Sequence, residues 1–123
     1  MTHTDMIAKV CTAAPVIPVL TIDRVEDAQP LARALVAGGL PALEITLRTA
    51  KAMDCIRAII AEVEGAVVGS GTVLTPEQLR DSYKLGCKFA VSPGSTGRLL
   101  GAAEDYEIAL LPGGVTASEC MAL

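Results

Sequence analysis

The sequence predicts an α/β fold in which strands and helices alternate around a parallel sheet, and three observations carry that prediction. Five short apolar runs begin near residues 16, 42, 66, 89 and 107, each separated from the next by one amphipathic stretch. Such alternation implies right-handed βαβ crossovers and parallel strands. The composition agrees: 51% of residues are hydrophobic and only 2% aromatic. An aliphatic, Ala-rich core suits strands covered on both faces better than a sandwich with one wet face. Lastly, helix-start and helix-stop residues fall where the alternation needs them.

In chain order, Asp5 to about Ala14 reads as a short helix and Val16–Leu20 as the first strand, with Pro18 arguing against a central position in the sheet. Asp23-Arg24-Val25-Glu26 fits a capping box with Asp23 as N-cap. The helix after it places Ala28, Leu31, Ala32, Leu35 and Val36 on one face and stops at Gly38-Gly39. A second strand spans Ala42–Leu47, and its helix runs from about Thr49 to Val63 with Met53, Ile56, Ile59 and Ile60 as the apolar stripe. The third strand covers Ala66 to about Ser70. Thr75-Pro76-Glu77-Gln78 then supplies an N-cap, a first-turn proline and a glutamine at the third position for a helix ending near Gly86. Phe89–Ser92 is a fourth strand, Thr96–Glu104 a helix and Ile108–Leu111 a fifth strand; Thr116-Ala117-Ser118-Glu119 opens one more helix.

The 123 residues fit a single domain, residues 1–123. A net charge of −4 with scattered basic residues marks no nucleic-acid or anionic-membrane surface. No apolar run approaches the roughly 20 residues of a membrane span. The N-terminus lacks the basic start and long apolar stretch of a signal peptide, so a cytoplasmic protein is expected. Cys11, Cys55, Cys87 and Cys120 form no C-x-x-C pair, and the one histidine, His3, stands far from them. They read as buried small hydrophobes in a reducing compartment, and no metal is expected.

Two architectures satisfy the alternation, a doubly wound open sheet and a (β/α)8 TIM barrel. The first strand-to-helix turn, Thr21-Ile22-Asp23, has no Gly-rich phosphate loop. Gly69-Ser70-Gly71 has Leu74 where a dinucleotide fingerprint needs its third glycine. Nucleotide binding loses most of its support.

The second strand carries the chemistry. Leu43, Ile45 and Leu47 share one face, while Ala42, Glu44, Thr46 and Arg48 share the other. In a barrel the polar face points into the lumen, where a mid-strand carboxylate is costly unless compensated. Glu44 and Arg48 lie four strand residues apart, roughly 13 Å, and do not satisfy each other directly. The arrangement suits a substrate held between them at the carboxyl ends of barrel strands, or else an ion network with neighbouring strands. The other strand ends are small and flexible: Gly69-Ser70-Gly71-Thr72, Ser92-Pro93-Gly94-Ser95-Thr96 and Leu111-Pro112-Gly113-Gly114-Val115-Thr116. Thr46, Gly71, Ser92, Gly94, Pro112 and Gly113 are therefore candidates to line the pocket.

In order and spacing, Leu43-Glu44-Ile45-Thr46-Leu47-Arg48-Thr49, Gly69-Ser70-Gly71-Thr72-Val73-Leu74 and Phe89-Ala90-Val91-Ser92-Pro93-Gly94 resemble the signature segments of the 2-keto-3-deoxy-6-phosphogluconate (KDPG) and 4-hydroxy-2-oxoglutarate (KHG) aldolases. Pro15-Val16-Ile17-Pro18-Val19 fits as well. The resemblance implies a TIM barrel, of which this chain supplies an N-terminal helix and about five βα units. It also implies a class I aldolase without cofactor, acting on a small keto acid, and a homotrimer for the full-length protein. On matching positions, Glu44 would be the general acid/base, Arg48 and Thr72 would hold the pyruvate-derived carboxylate, and Pro93 would line the pocket. The Leu-Arg-Thr after Glu44 and the Ser-Pro-Gly segment favour the gluconate over the galactonate branch.

Class I chemistry needs a lysine amine. Lys9, Lys51 and Lys84 read as helical, and Lys88 begins the fourth strand, the stability end of a barrel. In the family that lysine comes from the sixth strand, in a Phe-Lys-Phe-Phe-Pro-type segment. The 123 residues are therefore expected to be inactive alone. Pro112-Gly113-Gly114 also departs from the family's Pro-Gly-Ile/Val-Ser-Thr pattern. The competing reading from another class is a half-barrel that associates through its open edge without catalysis.

Overall fold

Five strands lie side by side in chain order, β1 (Val19–Leu20), β2 (Ala42–Thr46), β3 (Val67–Gly71), β4 (Phe89–Ser92) and β5 (Ala109–Pro112), and every neighbouring pair is parallel. The computed structural model describes residues 1–123. The helices are α1 (His3–Cys11), α2 (Val25–Ala37), α3 (Ala52–Glu62), α4 (Pro76–Leu85), α5 (Gly97–Tyr106) and α6 (Ala117–Ala122). A doubly wound sheet reverses its strand order at a switch point. Here the order never reverses, and α2 packs on α3, α3 on α4 and α4 on α5. This is the winding of a barrel, and the chain forms part of one. None of the helices is long and apolar enough to cross a membrane.

The strand registers sort the side chains into two faces. Leu43, Ile45, Val68, Ala90 and Leu110 point toward the helices and join Ala28, Ala32, Ile56, Ile59, Leu79, Leu99 and Ala103 in the larger core cluster. Val19, Glu44, Gly69, Phe89 and Ala109 form one row on the opposite, lumen face. At its lower end Val10 of α1 packs with Ala42, Phe89 and Ala109, so α1 stoppers the amino-terminal side of the sheet. Phe89 is the chain's only phenylalanine and is fully buried; apart from Cys55 and Cys87 the rest of the hydrophobic core is aliphatic, as the composition predicts.

Element boundaries depart from expectation where a side chain has another task. α1 begins earlier because Thr2 and Asp5 form a reciprocal capping box, and it ends at Cys11, short of Ala14. The first ladder is only Val19–Leu20, because Pro18 has no N–H to offer, although its carbonyl accepts from the Glu44 amide. Asp23 does not cap α2: the N-cap is Arg24, without a side-chain hydrogen bond, since the helix starts one residue later than the carboxylate requires. Leu31, expected on its buried face, is exposed. α3 starts at Ala52, not near Thr49, whose hydroxyl donates to the Ile22 carbonyl and ties the β2–α3 turn to the preceding loop. Lys51 consequently sits in that turn as an exposed N-cap, not on the helix.

α4 follows its signals. Thr75 Oγ1 accepts from the Gln78 amide at 3.2 Å, Pro76 opens the helix, and Gly86 closes it in the left-handed region at φ +100°. Gln78 Oε1 accepts from the Leu74 amide, one residue before the N-cap. Of the four cysteines, Cys55 and Cys87 are buried as expected, but Cys11 and Cys120 are exposed: Cys11 ends α1, and Cys120 lies on α6, which buries none of its residues.

Candidate active site

β2 carries Glu44 into the middle of the lumen face, where the residue is 9% exposed. Burial pushes its carboxyl above the ordinary range, and the positive charge of Arg48 partly opposes this. None of the three ion pairs in the structure involves Glu44 or Arg48. The two charges thus feel each other along the strand without pairing, as their spacing on it requires.

Arg48 lies just past the carboxyl end of β2, and its Nε donates to Thr72 Oγ1 at 3.1 Å. Thr72 follows β3 directly and holds φ at +58°. A β-branched residue in the left-handed region costs of order 1–3 kcal/mol and is found where the surroundings impose it. The strained corner turns the Thr72 hydroxyl to Arg48 and anchors one side of the guanidinium, leaving its terminal nitrogens available for a planar anion. The β2 and β3 ends thus combine a buried carboxyl capable of holding or releasing a proton with a forked cation suited to a carboxylate.

Thr46, fully buried on the same strand, has its hydroxyl committed to structure: it donates to the Leu20 carbonyl at 3.1 Å and stands 3.2 Å from Thr21 Oγ1. Gly71 lies directly beside the Glu44 carboxyl. Ser92 is placed elsewhere. It pairs in register with Pro112 and alternates with the lumen-facing Val91, so it lies on the helix side of the sheet. Pro112 borders, with Leu100, Ala103 and Leu110, a cavity of ≈ 320 Å³ on that same side. Pro93 and Gly94 are exposed at the β4 end, and Gly113 packs its bare Cα against the Pro93 carbonyl, joining the β4 and β5 loops. The structure therefore brings Glu44, Arg48, Thr72 and Gly71 together and sets Pro93, Gly94 and Gly113 in a second group at the neighbouring strand ends.

Sequence reasoning missed two features of this site, the strained Thr72 and the way Phe89 fills the space over Gly69. Two glycines at alternating positions of one strand, beside the strand carrying the only phenylalanine, are the signal by which the second could have been found; nothing in the sequence marks the first.

None of the lysines lies on a strand, and Lys51 alone stands at the carboxyl end of the sheet, exposed in the β2–α3 turn. Lys9 and Lys88 border a cavity at the amino-terminal side with Met6, Val10 and Val67. Lys84 lies on α4.

Residues 7–123 match the family model for KDPG and KHG aldolases. The KHG/KDPG aldolase of Escherichia coli strain K12 is 52% identical over 112 residues, covering 91% of this chain and 53% of that protein. The crystal structure of the KDPG aldolase of Zymomonas mobilis ZM4 with 3-phosphoglycerate superposes with a TM-score of 0.92 at 48% identity, covering 98% of this chain and 56% of that one. A KDPG aldolase from Legionella pneumophila, with pyruvate captured at low pH as a covalent carbinolamine intermediate, superposes with a TM-score of 0.88 at 47% identity, over 92% of this chain and 55% of that one. The chain spans about half the length of the relatives it matches.

Proposed function

The chain belongs to the KDPG and KHG aldolase family, and from that premise we propose that the whole protein is a class I aldolase. Its reaction would be the reversible cleavage of 2-keto-3-deoxy-6-phosphogluconate to pyruvate and glyceraldehyde 3-phosphate, or of 4-hydroxy-2-oxoglutarate to pyruvate and glyoxylate. The observation that carries this reading is Glu44: a carboxyl buried on the lumen face, its pKa raised by burial, beside the Arg48–Thr72 pair.

In this reading the guanidinium of Arg48, steadied by Thr72, takes the carboxylate of the keto acid and fixes the carbonyl carbon over the lumen. Glu44 is then within the lumen to accept and return the protons of imine formation and of carbon–carbon cleavage. A carboxyl whose pKa is raised toward the working pH serves both directions. The amine that forms the imine would in this reading come from outside these 123 residues: Lys9 and Lys88 border the amino-terminal cavity, Lys84 lies on α4, and Lys51 is exposed in the β2–α3 turn, on no strand of the lumen face. Pro93, Gly94 and Gly113 would close the pocket at the neighbouring strand ends. The family resemblance supports a homotrimer for the whole protein, and the absence of a signal-peptide pattern at its start supports a cytoplasmic one.

The test is a coupled assay of pyruvate release from KDPG by the whole protein. Replacing Glu44 with Gln keeps the shape and removes the proton shuttle, so kcat should fall by roughly 10²–10⁴. A Glu44→Gln protein with the parent's kcat overturns the assignment. In parallel, the 123-residue chain treated with pyruvate and borohydride should keep its mass of 12.7 kDa; an adduct would place the amine on one of its own four lysines.

A further inference from the structure

We propose that Gly71 is a positioning residue for Glu44: the bare Cα of Gly71 is the seat on which the Glu44 carboxyl rests. The proposal deepens the reading of Glu44 as the acid/base group and rests on it for its functional meaning. A Cβ built on Gly71 would stand 2.8 Å from both Cγ and Cδ of Glu44, closer than real Cβ atoms approach anything. Thr46, not Glu44, is the register partner of Gly71, whereas Glu44 is paired with Gly69. The Glu44 side chain therefore leans one step up the sheet, toward the carboxyl end where Arg48 and Thr72 lie.

The reason for the lean is on the next strand. A Cβ on Gly69 would meet the Phe89 ring, with Cδ2 and Cζ at 2.5 Å. The ring has taken the space over Gly69, level with Glu44 and directly across from it. Two glycines on the lumen face of β3 thus receive neighbours from either side. Phe89 comes from β4 onto Gly69, and Glu44, denied that place, comes from β2 onto Gly71. No ion pair fixes the carboxyl, so steric fit sets its position. The burial that this seat imposes is also what raises the Glu44 pKa.

Gly71 is not required by the backbone. Gly39, Gly65 and Gly86 hold φ between +84° and +100°, whereas Gly71 is outside the left-handed region and its conformation is open to alanine. What Gly71→Ala collides with is the end of a flexible side chain, so the fold should survive while the carboxyl is pushed off its seat toward solvent. Gly97, at the start of α5 and outside the pocket, is the matched control, exposed and with nothing within 4 Å of a built Cβ.

The experiment is a carbon-13 carboxyl NMR titration of Glu44 in the whole protein, its parent form compared with Gly71→Ala and Gly97→Ala. The seat predicts that Gly71→Ala lowers the Glu44 midpoint toward that of an exposed glutamate and that Gly97→Ala leaves it in place. A midpoint unmoved by Gly71→Ala overturns the proposal. Should Gly71→Ala fail to fold, it is rebuilt in a Glu44→Ala background, where the new methyl has nothing to strike. Recovery of folding there supports the seat, and continued failure overturns it. Because this titration needs no turnover, its outcome is independent of the Glu44→Gln kinetics that test the aldolase reading.

Discussion

Arg48 Nε donates to Thr72 Oγ1 at 3.1 Å, joining the carboxyl ends of the neighbouring strands β2 and β3. The bond uses one edge of the guanidinium and fixes its plane. A lysine at the same position would keep the charge but lose both the tether and the fork that matches a carboxylate. Arg48→Lys in the whole protein should therefore raise KM for the keto acid by about tenfold and change kcat much less, since the contact is made equally in ground and transition states. Steady-state kinetics with KDPG check this, and a fall confined to kcat would place Arg48 in the chemical step instead.

The partner residue gives a separable prediction. Thr72 sits at φ +58°, where glycine is at ease and a β-branched side chain is not. Thr72→Gly should relieve the strain and, after the extra entropy of glycine in the unfolded chain, raise stability by about 1 kcal/mol. The same change removes the anchor of Arg48 and weakens carboxylate binding. Urea denaturation of the 123-residue chain reads the first effect. A variant less stable than the parent would mean that the Thr72 side chain contributes more to the fold than its backbone strain costs.

Glu44 couples the site to pH through stability. Its carboxyl titrates above the ordinary 4.5 of glutamate because burial disfavours the charged form. Between the unfolded value and the raised folded value the native state binds more protons than the unfolded state, so stability falls as pH rises through that window. Glu44→Gln carries no such dependence. The stability advantage of Glu44→Gln over the parent should be smallest at about pH 4, grow as pH rises above the ordinary carboxylate range, and then level off. Chemical denaturation of both proteins at several pH values reads the difference directly, and a constant difference would show that Glu44 is no harder to ionise when folded than when unfolded.

The alternation of β2 is why the site could be read from the sequence. Period-2 patterning put Glu44 on the lumen face and Ile45 against the helices, and both stand there in the structure. Thr75, Pro76 and Gly86 announced α4 because each satisfies a local rule that tertiary packing has no reason to override. Asp23 looked equally good as a cap and is not one, since a one-residue shift in the helix start leaves its carboxylate out of reach. Ser92 and Pro112 fell on the helix side because proximity in sequence to a strand end does not say which face a residue takes; only the register does. The left-handed Thr72 carries no compositional mark, as its conformation is imposed by the β3 corner and not by threonine's own preferences.

The cysteines separate by depth. Cys11 and Cys120 are exposed, whereas Cys55 is 0% and Cys87 5% exposed, and burial pushes the Cys87 thiol up to about 12. The attacking species in thiol labelling is the thiolate, so a buried thiol with a raised pKa reacts only when the surrounding structure opens. Cys55 is held above its ordinary range by burial first, with Asp54 adding to it. Treatment of the native chain with an aromatic disulfide at about pH 8 should release two equivalents of chromophore quickly. The remaining two should follow only at the rate at which the core between the sheet and α3–α4 unfolds, and denaturant should make all four react at once. A third fast thiol would mean that the α3 or β4 side of the core opens readily, and with it the strand that carries Phe89 across from Glu44.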